Sequence, residues 1–314
     1  MKWRGRERSS NIEDRRGTRA GGGGGFGRGG LGYNPFGSGS GSGGGFRIPT
    51  GGRSSGLGLI GTIVVIGVIL VLMGINPLDL LTGTTSTAPT QVSTSQLPST
   101  NATEDELGQF VGVVVKETEN LWGEVFRQNN MTYQPPNVVL FSGQTTSACG
   151  VADASSGPFY CPNDQKVYID LRFYEQLRRQ FGAPGDFAQA YVIAHEIGHH
   201  VQQLTGVLPE FNRMRPQLSQ GEQNAYSVKV ELQADCLAGV WANYVNQEQL
   251  LEQGDMEEAI NAANAIGDDT LTRGTVQPRN FTHGTSAQRM AWLKRGLESG
   301  DVGQCDTFAS GAAL

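Results

Sequence analysis

Residues 57–75, LGLIGTIVVIGVILVLMGI, are 19 consecutive positions without a charge, and no other stretch limits the possible folds of this chain as strongly. As a helix, at roughly 1.5 Å per residue, the run is about 28 Å long, close to the hydrocarbon core of a bilayer at roughly 30 Å. A buried helix of a soluble domain is the alternative, but such helices seldom stay apolar on every face for this length. A cleaved signal peptide fits less well, because the basic region ahead is long and no small-x-small pattern follows Ile75. The run reads as one uncleaved transmembrane helix.

The sequence on either side differs in kind. Residues 1–53 hold 19 of the 45 glycines and 10 Lys/Arg against 3 Asp/Glu, whereas the rest of the chain holds 14 Lys/Arg against 27 Asp/Glu. The runs GGGGGFGRGG and GSGSGSGGGFR carry few aliphatic side chains, too few to offset the entropy of ordering their backbone. Residues 1–56 are therefore expected to form a disordered Gly/Arg-rich tail. Its positive charge places it in the cytoplasm and the C-terminal domain across the membrane, in the periplasm or another extracytoplasmic space. An arginine-glycine mixture can also meet RNA or anionic lipid, but a solvated topology signal is the simpler reading. The acidic remainder argues against a nucleic-acid surface, so no nucleic-acid partner is expected.

Residues 76–102, rich in Thr, Ser and Pro, suit a linker that keeps the next domain near the membrane. The domain, residues 103–314, opens with a helix whose first turn offers Thr103 and Glu106 as a capping box. Strand-like runs follow at 137–141 and at 166–171, the second alternating in polarity. Helical patterns dominate after that. The fold class expected is α+β: a helix-rich domain with a small sheet, preceded by a disordered tail and one transmembrane helix.

The chemistry concentrates in YVIAHEIGHHVQQ, which contains His195-Glu196-x-x-His199. Asp186 and Gln189 ahead of it and Gly206 after it mark a helix of nearly five turns. At i, i+4 both imidazoles share one face, where two nitrogens can reach one metal ion. Glu196 is placed to accept a proton from water at that metal. Gly198 in the helix interior signals a close approach of another segment. His200 points about 100° away from His199 and reads as a packing residue.

Zinc needs a third protein ligand, and the chain has only four histidines, with Thr205 at the position where an elongated three-histidine motif would need another. A second long helix, spanning 219–248 with Ser219 and Glu222 as its capping box, carries Glu231 and Asp235 on one face. Glu231 can complete the zinc shell, and Asp235 can accept the remaining ring N–H of a ligand histidine.

HEIGHH, then ELQADCLAG, then THGTSAQR resemble the putative neutral zinc metallopeptidase family of bacterial membrane-anchored proteins, within the zincins that take glutamate as third ligand. The resemblance spans roughly residues 50–310. It implies a zincin-like metallopeptidase domain with an active-site helix beneath a small sheet whose edge strand aligns an extended peptide. It further implies His195, His199 and Glu231 as zinc ligands, Glu196 as general base and Asp235 as the support of a ligand histidine.

His283, in FTHGTSAQRMAWLKRGL, precedes a final helix capped by Thr285 or Ser286. Two roles are open to it: a hydrogen bond to the tetrahedral oxyanion, or a tie between the loop and the core. The four cysteines, Cys149, Cys161, Cys236 and Cys305, all follow the apolar run, on what its orientation makes the oxidising side. Of three possible pairings, Cys149–Cys161 and Cys236–Cys305 are favoured, and no C-x-x-C spacing supports a cysteine zinc site.

These readings converge on a membrane-anchored hydrolase that cleaves peptide bonds in a peptide or protein substrate, using a zinc-activated water and Glu196 as base. Other divalent ions also suit a site with two histidines and a glutamate. The rival functions are a catalytically silent binding module of the cell envelope and a zinc hydrolase acting on a cell-wall amide.

Overall fold

The structure is a computed structural model, and it describes residues 1–17, 102–153 and 156–312. The apolar run at 57–75, nearly all of the linker and the glycine-rich part of the tail lie outside the described residues. Among the described residues no helix is long and apolar enough to cross a membrane.

In chain order the elements are β1 (Ile12–Asp14), α1 (Ala102–Gln128), β2 (Asn137–Phe141), β3 (Gln144–Ser147), β4 (Gly150–Asp153), β5 (Phe159–Cys161) and β6 (Lys166–Asp170). There follow α2 (Phe173–Arg179), α3 (Asp186–Leu204), α4 (Val207–Met214), α5 (Gln220–Gln247), α6 (Asp255–Ala265), α7 (Asp268–Leu271) and α8 (Ser286–Ser299). The described domain is helix-rich with a small sheet, an α+β arrangement. Four strands pair in the order β1-β2-β6-β5, and β3 and β4 form a separate hairpin.

The second strand differs from its expected alternation. Every residue of β6 from Val167 to Asp170 is buried, and so is β2 from Val138 to Phe141. One face packs Val138, Leu140, Val167 and Ile169 into the main helical core, while the other seats Val139, Phe141 and Tyr168 against Ala152 of the hairpin. A strand covered on both sides has no solvent face to alternate toward. The Cys149–Cys161 disulfide joins the hairpin region to β5, and Cys236–Cys305 joins α5 to the turn after α8. Both are the favoured pairings.

Helix ends follow local chemistry in most places. Ser219 and Glu222 form a reciprocal capping box on α5, as do Thr285 and Gln288 on α8. Two expected starts shift. Thr103 lies inside α1, which begins at Ala102. Asp186 is the first residue of α3 rather than its cap, and its carboxylate instead accepts a hydrogen bond from the Met1 ammonium at 2.8 Å. Gly185 caps the helix, and the Phe187 N–H donates to Glu258.

That contact belongs to a larger departure from expectation. Residues 1–17, assigned to the disordered tail by composition, fold onto the domain as a strap. Met1 and Trp3 are buried, Trp3 meets Phe110 of α1 edge to face, the Ser9 N–H donates to the Gly112 carbonyl, and β1 extends the sheet parallel to β2. Met1's ammonium bonds Asp186, Glu252 and Asp255; burial opposes its charge, but these carboxylates outweigh that and raise its pKa to about 10. The physical reason for the misreading is averaging, since residues 1–17 hold only two of the 19 glycines and carry Trp3 and Ile12 as apolar anchors.

If the strap is part of the core, Trp3→Ala should remove about 3 kcal/mol or more of stability, the usual cost of emptying a buried aromatic site. Urea unfolding of the full chain reads this directly, and an unchanged midpoint would contradict the packing of Trp3.

Candidate metal centre

The site forms where α3 and α5 cross. A Cβ placed on Gly198 would stand 3.2 Å from the Ala234 carbonyl oxygen and 3.3 Å from its Cα, so only glycine lets the two helices approach this closely without a shift. The crossing sets the His195/His199 turn of α3 against the Glu231/Asp235 turn of α5.

His195, His199 and Glu231 each offer one ligand atom within 4.8 Å of the others. His195 Nε2 lies 3.1 Å from Glu231 Oε2, and His199 Nε2 lies 3.6 Å from Oε1. Ligand atoms about 2.05 Å from a tetrahedral zinc stand about 3.3 Å apart, so the donor set fits the ion in both type and spacing. The two imidazoles meet nearly at right angles with centroids 4.8 Å apart, which keeps both Nε2 lone pairs available on one side.

The outer nitrogens are held. His195 Nδ1–H donates to Asp235 Oδ1 at 2.8 Å, and His199 Nδ1–H donates to Gln202 Oε1 at 2.8 Å. These bonds fix the tautomer that leaves Nε2 free for metal and raise the ligands' basicity. Asp235 is fully buried yet well supplied with donors: Tyr191 Oη at 2.6 Å, Arg289 Nε at 2.9 Å and Arg289 Nη2 at 2.9 Å. Gln202 is oriented in turn by donating to the Val230 carbonyl and to Gln233 Oε1.

Electrostatics follow from these contacts. Burial disfavours the Asp235 carboxylate, but Arg289 and His195 overcome it and hold its pKa at about 2. Burial likewise opposes charge on His195, and Asp235 with Glu231 pushes the ring up to about 10 when no metal competes for it. Glu231 is driven well below the ordinary carboxylate range by His199 and His195 against the pull of desolvation. Glu196 behaves differently. It is buried beside the cluster without being one of its three members, and desolvation raises its pKa against the charges of His199 and His195 and a hydrogen bond from the Tyr160 backbone N–H of β5.

His200 faces away, as its helical position implies. Its Nε2–H donates to the Gln134 carbonyl at 2.7 Å, its Nδ1 accepts from Tyr160 Oη at 3.0 Å, and burial lowers its pKa. His283 sits on the loop before α8 with its ring about half exposed. Asp268 Oδ2 accepts the backbone N–H groups of Thr282, His283 and Gly284 at 2.7, 2.7 and 3.1 Å, and His283 Nδ1 lies 3.2 Å from Asp268 Oδ1. The loop is thus tied to the core through Asp268. The ring is held so that it and Glu231 feel each other's charge, and Asp268 raises its pKa.

Four participants escape a sequence reading centred on the metal motif: Tyr191, Gln202, Asp268 and Arg289. Tyr191 stands one turn before His195 and Gln202 one turn after His199, so helical spacing carries a signal for both. Arg289 lies in the THGTSAQR run, but nothing local marks it as buried.

The matching family model, described as putative neutral zinc metallopeptidase, covers residues 1–308. The chain belongs to this zinc metallopeptidase family. Uncharacterized protein YpfJ of Escherichia coli K12 is 45% identical over 311 residues, which cover 98% of this chain and 99% of that protein. Uncharacterized protein Rv2575 of Mycobacterium tuberculosis H37Rv is 42% identical over 221 residues, 65% of this chain and 73% of the relative. No solved structure matches the chain. The zinc of the family's description agrees with the donor set that the crossing of α3 and α5 brings together.

In this zinc metallopeptidase family member, Arg289→Met leaves Asp235 buried without its guanidinium partner. Loss of one member of a buried pair typically costs about 3–5 kcal/mol. Loosening the His195 support should also weaken zinc about 10–100-fold in a chelator competition. Wild-type affinity in that variant would show that Asp235 needs no help from α8.

Proposed function

We propose that the chain is a zinc-dependent peptidase that hydrolyses peptide bonds, with His195, His199 and Glu231 holding the metal and Glu196 acting as general base. One observation carries this reading: a buried carboxylate stands beside a three-ligand cluster without belonging to it. A purely structural zinc site has four protein ligands and no need for such a neighbour.

Zinc, when bound, supplies a Lewis acid that acidifies water and polarises the scissile carbonyl. Glu196 accepts the proton of the attacking water and delivers it to the leaving amine. Its raised pKa makes it the stronger base for taking that proton, while its protonated form stays far more acidic than the ammonium that forms on the leaving amine. His283, held by Asp268 within reach of the charge on Glu231, donates a hydrogen bond as the carbonyl oxygen gains negative charge. Asp235 and Gln202 keep the two imidazoles in the ligating tautomer throughout.

The substrate is an extended peptide segment of a peptide or protein. Among the described residues β5 pairs with β6 on one side only, and it runs beside α3, where Tyr160 addresses Glu196. An extended chain added to that edge gains main-chain hydrogen bonds and carries a peptide bond past the metal.

Glu196→Gln should retain zinc and lose about 10²–10⁴-fold in kcat. His283→Gln should retain zinc and lose about 10²-fold in kcat with little change in KM. Turnover of a peptide library by the full chain, with metal content measured in parallel, reads both. A Glu196→Gln chain that cuts as fast as wild type would sink the mechanism. A zinc-loaded wild type that cuts no peptide would favour a binding module, and release of cell-wall amide products would favour the other hydrolase.

A further inference from the structure

We infer that residues 1–17 and the disulfide-bonded domain occupy the same side of any membrane the chain engages, so that the apolar run at 57–75 does not separate them. The basis is the docked strap. Its backbone donates from Lys2 to the Leu250 carbonyl at 2.7 Å and from Ser9 to the Gly112 carbonyl at 2.9 Å, and its β1 pairs with β2 through Ile12, Glu13 and Asp14. Its side chains reach α1 and β6: Trp3 onto Phe110, Arg6 onto Glu117 at 2.9 Å, and Glu13 onto Lys166 at 2.7 Å. These contacts join segments separated by more than 100 positions, with residues 57–75 between them in sequence.

A run of 19 residues is long enough for one helical crossing and no more. One crossing by residues 57–75 would put residues 1–17 and the domain on opposite faces. Docking of the strap and a single crossing are therefore mutually exclusive in one chain.

The basic residues of the tail give little support to a cytoplasmic placement. Orientation is set by Lys and Arg within about 15–20 residues of a span. Of the tail's ten basic residues only Arg47 and Arg53 lie that near; six are in residues 1–17. Several of those six face acidic or polar partners on the domain, Arg4 on Glu106, Arg6 on Glu117 and Lys2 on the Gln249 carbonyl. They serve docking. The Cys149–Cys161 and Cys236–Cys305 bonds mark the domain's compartment as oxidising, and the inference places the strap there with it.

Two surface cysteines test this in the full chain. Arg8→Cys and, separately, Lys294→Cys each add one thiol at an exposed position, on the strap and on α8. Cells with an intact cytoplasmic membrane are treated with a membrane-impermeant maleimide. The expected result is that both positions are labelled or both are protected; labelling of one and protection of the other overturns the inference. A second variant reads docking itself. A Cβ on Gly112 would lie 3.3 Å from the Arg8 Cβ, near the separation of roughly 3.5–4.5 Å that a disulfide spans. The Arg8→Cys/Gly112→Cys chain should form an intrachain bond in cells alongside the two native ones, seen as a mobility shift on non-reducing gels. Native disulfides formed while the new pair stays reduced would overturn it.

Discussion

Everything at the centre depends on how closely α3 and α5 cross at Gly198 and Ala234. The approach is so close that a Cβ on Gly198 would stand 3.2–3.4 Å from Ala234, and it brings the imidazole pair against the carboxylate pair with no loop to loosen the geometry. Rigid elements hold a metal constellation more tightly than loops do. The cost is a concentration of buried charge: His195, Glu196, Asp235 and Arg289 are all nearly inaccessible to water. Asp235 reconciles them. It faces His195 on one side and Arg289 on the other, so the candidate metal ligand and the arginine that locks α8 share one counter-ion.

The second crossing, α5 with α8, follows the same logic. A Cβ at Gly296 would overlap the Cys236 carbonyl, so α8 lies against the backbone of α5 one residue from Asp235. The Cys236–Cys305 disulfide and the Gln233 bond to the Cys305 carbonyl secure the chain that follows. The candidate metal centre is thus built on three helices, α3, α5 and α8, with β5 at the end of the sheet among the described residues.

What was legible in the sequence was local. The i, i+4 spacing of His195 and His199, the capping box at Ser219, the helix cap at Thr285 and the pairing of Cys149 with Cys161 twelve positions on each express a short-range rule, and Cys236–Cys305, 69 positions apart, then takes the remaining pair. What was illegible acts at a distance. Arg289 is buried because Asp235, far away in sequence, waits for it, and Asp268 matters because three consecutive amides of another loop point at its carboxylate. Residues 1–17 show the same thing on a larger scale. Averaged with the glycine runs that follow, they read as unfoldable; their order comes from Phe110, Glu117, Leu140 and Leu250, which no window on the N-terminus contains. The β3–β4 hairpin, too short to announce itself, removed the solvent face that alternation in β6 would have required.

The most direct test of the central claim is zinc-edge X-ray absorption on protein purified without added metal, with the zinc content of the same sample measured. The account predicts one zinc per chain with two imidazole nitrogens and carboxylate oxygen at about 2.0–2.2 Å. Sulfur in the first coordination shell, or a chain that purifies without zinc and does not take it up, would contradict it.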